Sequence, residues 1–152
     1  MISKRILITG GKSRFAKILK KQLKGKNVIY TSRNELDILN PKSIENCIKK
    51  YKPNFLIHLA SLSRPMDIHV KKINLSIDTN IIGTANIVKA CSNKNIKLIF
   101  FSSNYVYPGK KGNYSETDGV FPINNYAWSK LGGEASVILY KNSLILRLAM
   151  TE

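Results

Sequence analysis

Residues 5–16 read Arg5-Ile6-Leu7-Ile8-Thr9-Gly10-Gly11-Lys12-Ser13-Arg14-Phe15-Ala16, and this stretch decides the fold. Ile6, Leu7 and Ile8 form an apolar run with no polar alternation, which suits a strand buried on both faces of a parallel sheet. Gly10 and Gly11 end the run. From Ser13 to Lys24, Phe15, Ile18, Leu19 and Leu23 recur at helical spacing. Strand, glycine turn and helix in that order make the opening unit of a dinucleotide-binding fold, in which the first helical amides accept a pyrophosphate. Gly10 stands where the tight turn needs it, and Ala16 stands where helix meets sheet. Ser13 stands where a glycine would let the backbone approach the phosphates. Its side chain either crowds them or hydrogen-bonds one of them. On this motif alone a plain strand-to-helix turn is as good a reading as a cofactor loop.

The same alternation continues outward. Asn27 to Tyr30 reads as a second strand, and Thr31-Ser32-Arg33 follows it. An acid at this strand's end holds the ribose hydroxyls of NAD, whereas an arginine accommodates the 2′-phosphate of NADP. The first acid is Glu35, so Ser32, Arg33 and Arg14 favour NADP(H), with NAD(H) as the other option. A solvated loop arginine is the plainer alternative for Arg33. Asn40-Pro41 reads as a helix start, with an Asn cap and proline at the first helical position. Ile44, Ile48 and Tyr51 give that helix its apolar stripe, and it stops before Pro53. Asn54 to Ala60 reads as the third strand, with His58 a hydrogen-bonded strand-end histidine rather than an acid or base. Ser61 to Val70 reads as a loop, and His69 carries no motif. Ile73, Ile77, Ile81, Ala85 and Val88 recur every three or four residues up to Cys91, which predicts one long helix. Leu98 to Ser102 is the fourth strand, Asn125 to Leu139 a helix and Ser143 to Leu148 the fifth strand. The loop ending at Ile123 is about 20 residues long, a length that is usually functional.

Tyr126 and Lys130 stand one helical turn apart, close enough to interact. A cation beside a phenol favours the phenolate and lowers its pKa. A hydroxyl at a strand end, Ser103, can hydrogen-bond a carbonyl oxygen. The three together would form a proton donor for a developing alkoxide. Tyr-x-x-x-Lys alone is a weak signal, since such pairs are common on solvated helices.

The surrounding residues make it specific. Ser102-Ser103-Asn104-Tyr105-Val106-Tyr107, Ser115-Glu116-Thr117-Asp118-Gly119-Val120-Phe121-Pro122 and Asn125-Tyr126-Ala127-Trp128-Ser129-Lys130-Leu131-Gly132-Gly133-Glu134 occur in that order. Together they resemble the extended short-chain dehydrogenase/reductase superfamily (the NAD-dependent epimerase/dehydratase group), most of all its dTDP-4-dehydrorhamnose reductase branch. The resemblance implies catalytic roles for Ser103, Tyr126 and Lys130, with Asn80 of Asn80-Ile81-Ile82-Gly83-Thr84 supporting the lysine. A bland surface asparagine is the alternative for Asn80. It implies cofactor contacts from Gly10, Ser13, Arg14, Phe15, Ser32, Arg33, the Asp37-Ile38 pair at the adenine, Leu59 and Ala60 of His58-Leu59-Ala60, and Tyr126 and Lys130 at the nicotinamide ribose. The implied activity is NADP(H)-dependent reduction of a 4-keto-6-deoxy nucleotide-sugar for polysaccharide sugar biosynthesis. Asn104-Tyr105 stands where a 4,6-dehydratase would carry Asp-Glu, which ranks that sibling activity low. A non-catalytic nucleotide-binding or regulatory module, or half of a split epimerase/dehydratase, is the alternative.

At 152 residues the expectation is a single dinucleotide-binding domain, a Rossmann-type doubly wound α/β sheet over 1–152 with strand order 3-2-1-4-5. The family's C-terminal substrate lobe would follow the fifth strand, and the chain stops at Glu152. A homo-oligomer or a partner chain supplying that lobe is therefore an open expectation. The net charge of +16 invites a nucleic-acid reading. Twenty of the 25 basic residues are lysine, however, and they are scattered as Lys20, Lys21, Lys24, Lys26, Lys49, Lys50, Lys52 and onward. Without aromatic interleaving, this predicts attraction to small anionic ligands and no specific nucleic-acid binding. No apolar run approaches the ~20 residues that cross a bilayer, so no membrane partner is expected. The run from Ile6 to Gly10 is too short for a signal peptide's apolar core, so a cytoplasmic protein is expected. Cys47 and Cys91 lack metal-ligand spacing, no metal is expected, and both read as reduced core residues.

Overall fold

The computed structural model describes residues 4–23, 25 and 27–149. Met1 to Ser3, Lys24, Lys26 and the terminus through Glu152 lie outside the described residues, so the expectations placed on them are not addressed. Five parallel strands, β1 (Ile6–Thr9), β2 (Val28–Tyr30), β3 (Phe55–His58), β4 (Lys97–Ser103) and β5 (Ser143–Leu148), form one sheet. Helices α1 (Arg14–Gln22), α2 (Pro41–Tyr51), α3 (Ile68–Lys71), α4 (Ile73–Ser76), α5 (Gly83–Asn93) and α6 (Asn125–Val137) connect them. This is the doubly wound α/β architecture expected from the strand–helix alternation.

The strand order is β2-β1-β3-β4-β5, which corrects one detail of the expectation. The third strand does not extend the sheet beyond β2. It joins the other edge of β1, with Ile6 opposite Phe55 and Thr9 opposite His58. Burial explains the choice. Leu56, Ile57 and His58 are all buried, so β3 suits the sheet's interior, where both faces are covered and both edges are paired. β2 is three half-buried residues, a short strand of the kind that ends a sheet. In this order the chain reverses direction across the sheet between β1 and β3, and a ligand crevice opens at the carboxyl ends of those strands.

Alternation along the strands sorts the core into two layers. Leu7, Leu56, Leu98 and Phe100 face Ile44, Ile87, Cys91 and Val137 of α2, α5 and α6. Ile8 and Ile57, with half-buried Ile99 and Phe101, face Ala16, Phe15 and Leu19 of α1. Phe15 stacks obliquely on Phe101 with centroids 4.9 Å apart, while Ile18, on the expected apolar stripe, is exposed. Cys47 and Cys91 are both buried and free, and burial pushes their thiols up to about 11 and about 12.

The long helix expected over 73–91 is interrupted. α4 passes into a wider π-type segment, Ile77–Ile82, before α5 begins. Asn80 is buried in this segment. Its side chain turns inward, and the Thr84 hydroxyl donates to its carbonyl at 2.8 Å. Such wide turns form where an inward polar group competes with the helical ladder. α6 packs tightly on this segment: a Cβ on Gly133 would lie 2.8 Å from the Asn80 carbonyl oxygen, and one on Gly132 would lie 2.8 Å from Ile81 Cδ1. Among the described residues no helix is long and apolar enough to cross a membrane.

Candidate functional site

The crevice at the β1/β3 ends is a cleft of about 380 Å³. Its floor is the β1–α1 turn. Gly10 has φ +65°, and a Cβ there would lie 2.7 Å from the Ala60 nitrogen, so only glycine closes this turn against the end of β3. The Ser13 hydroxyl caps α1, accepting from the Ala16 amide at 3.2 Å, and Ser13 also lines the cleft. The amides of Arg14 and Phe15 are left without intrahelical acceptors and with the positive end of the helix dipole.

The cleft is lined by Gly10, Ser13, Ser32, Arg33, Asp37, Ile38, Leu59 and Ala60, eight of the residues named from the sequence. Arg14 and Phe15 do not line it: Arg14 is exposed, and the Phe15 ring packs into the layer beneath α1. Lys12, Leu36, Leu39, Ser61, Leu62, Leu75 and Thr79 also line it. Sequence reasoning passed over Lys12, although its place in the glycine turn is a signal for anion binding. Asp37 is half-buried. Its amide donates to Ser43 Oγ at 3.1 Å and its carboxylate accepts from the Leu39 amide at 3.0 Å, which fixes the loop that walls the cleft.

Ser103, Tyr126 and Lys130 do not line this cleft. Ser103 and Tyr126 meet beyond it, where the end of β4 meets α6, and Lys130 follows one turn along the same helix. Ser103 is buried, and its Oγ accepts from the Tyr105 amide at 3.2 Å. The Ser103 hydroxyl faces the Tyr126 phenol. Burial raises the phenol's pKa, and the Ser103 contact and the Arg64 guanidinium pull against that without reversing it. This differs from the electrostatics expected of Tyr-x-x-x-Lys. Lys130 is 3% exposed, and its Nζ lies 4.3 Å from the Phe100 ring centroid. Burial lowers the lysine to about 7, against a partial counter-pull from Glu134. Desolvation thus dominates both groups. The lysine is turned under the helix onto an aromatic face, and the phenol stays in its protonated form at neutral pH.

Asn80 is not on Lys130 either. Its Nδ2 donates to the Leu62 carbonyl and to Ser129 Oγ, both at 2.8 Å, and its Oδ1 accepts from the Leu62 amide at 2.8 Å. These bonds use both amide protons and one of the two Oδ1 lone pairs. The side chain ties the cleft wall at Leu62 to the residue beside Lys130. His58 is the satisfied strand-end histidine that was expected. Thr9 Oγ1 lies 2.7 Å from Nδ1 and Thr84 Oγ1 lies 3.2 Å from Nε2. Thr9 Oγ1 accepts from the Leu59 and Ala60 amides, and its proton goes to Nδ1. The Thr84 proton goes to the Asn80 carbonyl, so Nε2–H donates to Thr84. Burial, and then the Lys130 charge, lower this ring to about 3, so it is neutral.

Two neighbours were given no role from the sequence, although Glu134 ends the motif that begins at Asn125. His69 is buried, bonds Ser76 Oγ through Nδ1 at 2.7 Å, and lies 5.2 Å, ring to ring, from Tyr126. Glu134, one turn beyond Lys130, receives Arg147 Nη2 at 2.7 Å and Nε at 3.1 Å, while Nη1 donates to the Tyr107 hydroxyl at 2.8 Å. Tyr107 in turn donates to the Ser115 carbonyl at 2.9 Å and stacks on Tyr114. The long loop is anchored to α6 and β5 through this chain of bonds.

The profile of the RmlD substrate binding domain family matches residues 4–151. The chain is 31% identical over 152 residues to dTDP-4-dehydrorhamnose reductase of Aggregatibacter actinomycetemcomitans, covering 97% of this chain and 51% of that protein. It is 29% identical over 145 residues to methionine adenosyltransferase 2 subunit beta of Xenopus laevis, covering 90% of this chain and 43% of that one. The crystal structure of dTDP-4-dehydrorhamnose reductase from Bacillus anthracis, in complex with NADP, superposes with a TM-score of 0.90 at 28% identity over 97% of this chain and 54% of that chain. The chain spans about half the length of the relatives it matches.

Proposed function

The chain belongs to the RmlD substrate binding domain family, and from that premise we propose that it is the dinucleotide-binding half of a reductase acting on a 4-keto-6-deoxy nucleotide-sugar, with NADP(H) preferred. The observation that carries the reading is the coincidence of a glycine-built phosphate cradle with a protonated phenol facing a serine hydroxyl. The residues present fit a dinucleotide. Gly10 and the α1 amides would hold the pyrophosphate, Asp37 and Ile38 the adenosine side, and Lys12, Ser32 and Arg33 a 2′-phosphate. When bound, the reduced nicotinamide supplies a hydride to the keto carbon.

The chain's own residues handle the proton. Tyr126, a neutral phenol whose pKa burial raises further, gives its proton to the carbonyl oxygen as that oxygen becomes an alcohol. Ser103, fixed by the Tyr105 amide, orients the carbonyl. Lys130 would reach a ribose hydroxyl only by turning out from the Phe100 face, and burial makes it a weaker base than a solvated lysine. The sugar-binding surface is proposed to come from a further segment or a second chain.

A second reading, a nucleotide-binding subunit without turnover, is favoured by one observation: the cleft does not reach Ser103, Tyr126 or Lys130. The test is NADPH oxidation followed at 340 nm with a dTDP-4-keto-6-deoxy sugar. The reductase reading expects oxidation that Tyr126→Phe lowers by about 100-fold or more. NADPH that binds but is never oxidised leaves the second reading standing.

A further inference from the structure

The cleft residues named for a 2′-phosphate are already engaged by carboxylates of the chain itself. Glu35 Oε2 accepts from the Ser32 amide at 2.8 Å and from the Ser32 hydroxyl at 2.9 Å. Arg33 Nε lies 3.9 Å from Asp37 Oδ2. Lys12 lines the cleft beside Ser32 and also attracts the Glu35 carboxylate. One amide, one hydroxyl and a nearby ammonium make a donor set suited to an anionic oxygen, and Glu35 supplies that oxygen in the free protein.

The same two bonds close a capped turn, in which the Glu35 and Leu36 amides donate to the Ser32 carbonyl at 3.1 and 2.9 Å. Turn closure accounts for the carboxylate's position. It has a consequence for a ligand because Ser32 faces the cleft. A phosphate arriving at Ser32 must displace Glu35 or sit against its charge. A ribose diol meets no such repulsion.

We propose that Glu35 is a built-in competitor for the cofactor's 2′-phosphate, occupying the Ser32 donors and thereby setting how strongly the chain distinguishes NADPH from NADH. The inference rests on the dinucleotide reading above and concerns the margin of the preference. Glu35→Gln keeps an acceptor for the turn and removes the charge, and Glu35→Ala removes both. Glu35 is exposed, so neither change opens the core.

The experiment is calorimetric titration of the unaltered protein and both variants with NADPH and with NADH. Both variants should bind NADPH about tenfold more tightly relative to NADH, about 1.4 kcal/mol, with NADH affinity held within about twofold. A ratio unchanged within twofold in both variants overturns the proposal. So does an equal tightening of both dinucleotides, which would mark a general charge effect. If the unaltered protein binds neither dinucleotide, the cofactor reading itself falls and takes this inference with it.

Discussion

Lys130→Met should make this protein more stable, and only below alkaline pH. The lysine is fully enclosed, and burial lowers it from 10.5 to about 7. Its charged form is therefore disfavoured in the fold relative to the unfolded chain. Between those two values the unfolded chain binds the proton and the fold does not, so this group's contribution makes stability rise with pH. Below about pH 7 the folded protein carries the whole cost of a buried ammonium. At about 1.36 kcal/mol per pH unit, the gap from 10.5 to about 7 corresponds to about 5 kcal/mol. Methionine follows the lysine stem closely in shape and lies well against an aromatic face. An imperfect fit returns up to about 1.5 kcal/mol. The net expectation at pH 6 is about 3 kcal/mol of stabilisation, or about 10 °C in Tm for a chain of this size. The gain should shrink by about 1.4 kcal/mol per pH unit from pH 7, vanish near pH ~9.5 and leave only the misfit of up to about 1.5 kcal/mol above pH ~10.5. Thermal unfolding of both proteins at pH 6, 8 and 10 measures it, and the difference between them isolates Lys130 from the other lysines. A variant less stable than the parent at pH 6, or a difference that does not change with pH, would refute the claim that desolvation dominates this site.

Gly10→Ala should cost at least about 2 kcal/mol, because it combines φ +65° with a Cβ 2.7 Å from the Ala60 nitrogen. It should weaken dinucleotide binding more than tenfold, read by calorimetry on the folded variant. Arg147→Met leaves Glu134 buried without its three bonds and should cost about 3–5 kcal/mol in a urea titration. Loosening of the loop through Tyr107 should show as faster proteolysis near Ser115.

Where local pattern and packing point the same way, the chain was legible. Ile6 to Thr9, the Asn40-Pro41 cap and the Asn125 start of α6 are all where residue types alone put them. Strand order was not legible, because it depends on which strands can be buried on both faces, and β3 is distinguished from β2 only by length and enclosure. The break at Asn80 was hidden for a related reason: apolar spacing reports which face is buried, and the winding changes where one inward amide takes three partners at once. For the site, eight cleft residues could be named because they sit at turn and strand-end positions with fixed geometry. The charge states could not be named. Tyr126 and Lys130 have the spacing of an interacting pair, yet burial dominates each of them, and spacing carries no information about enclosure. His69 and Arg147 lie 57 and 17 residues from Tyr126 and Lys130, so only the fold brings them there.

Under the proposed function, the β1–α1 turn and the cleft above it hold a nicotinamide dinucleotide. Trp128 is the single tryptophan and sits on α6 two residues from Tyr126, so energy transfer from it to reduced nicotinamide reports binding directly. Titration of the folded chain with NADPH should give a saturable transfer signal that Gly10→Ala abolishes. A folded protein showing no saturable signal at millimolar NADPH would contradict the account.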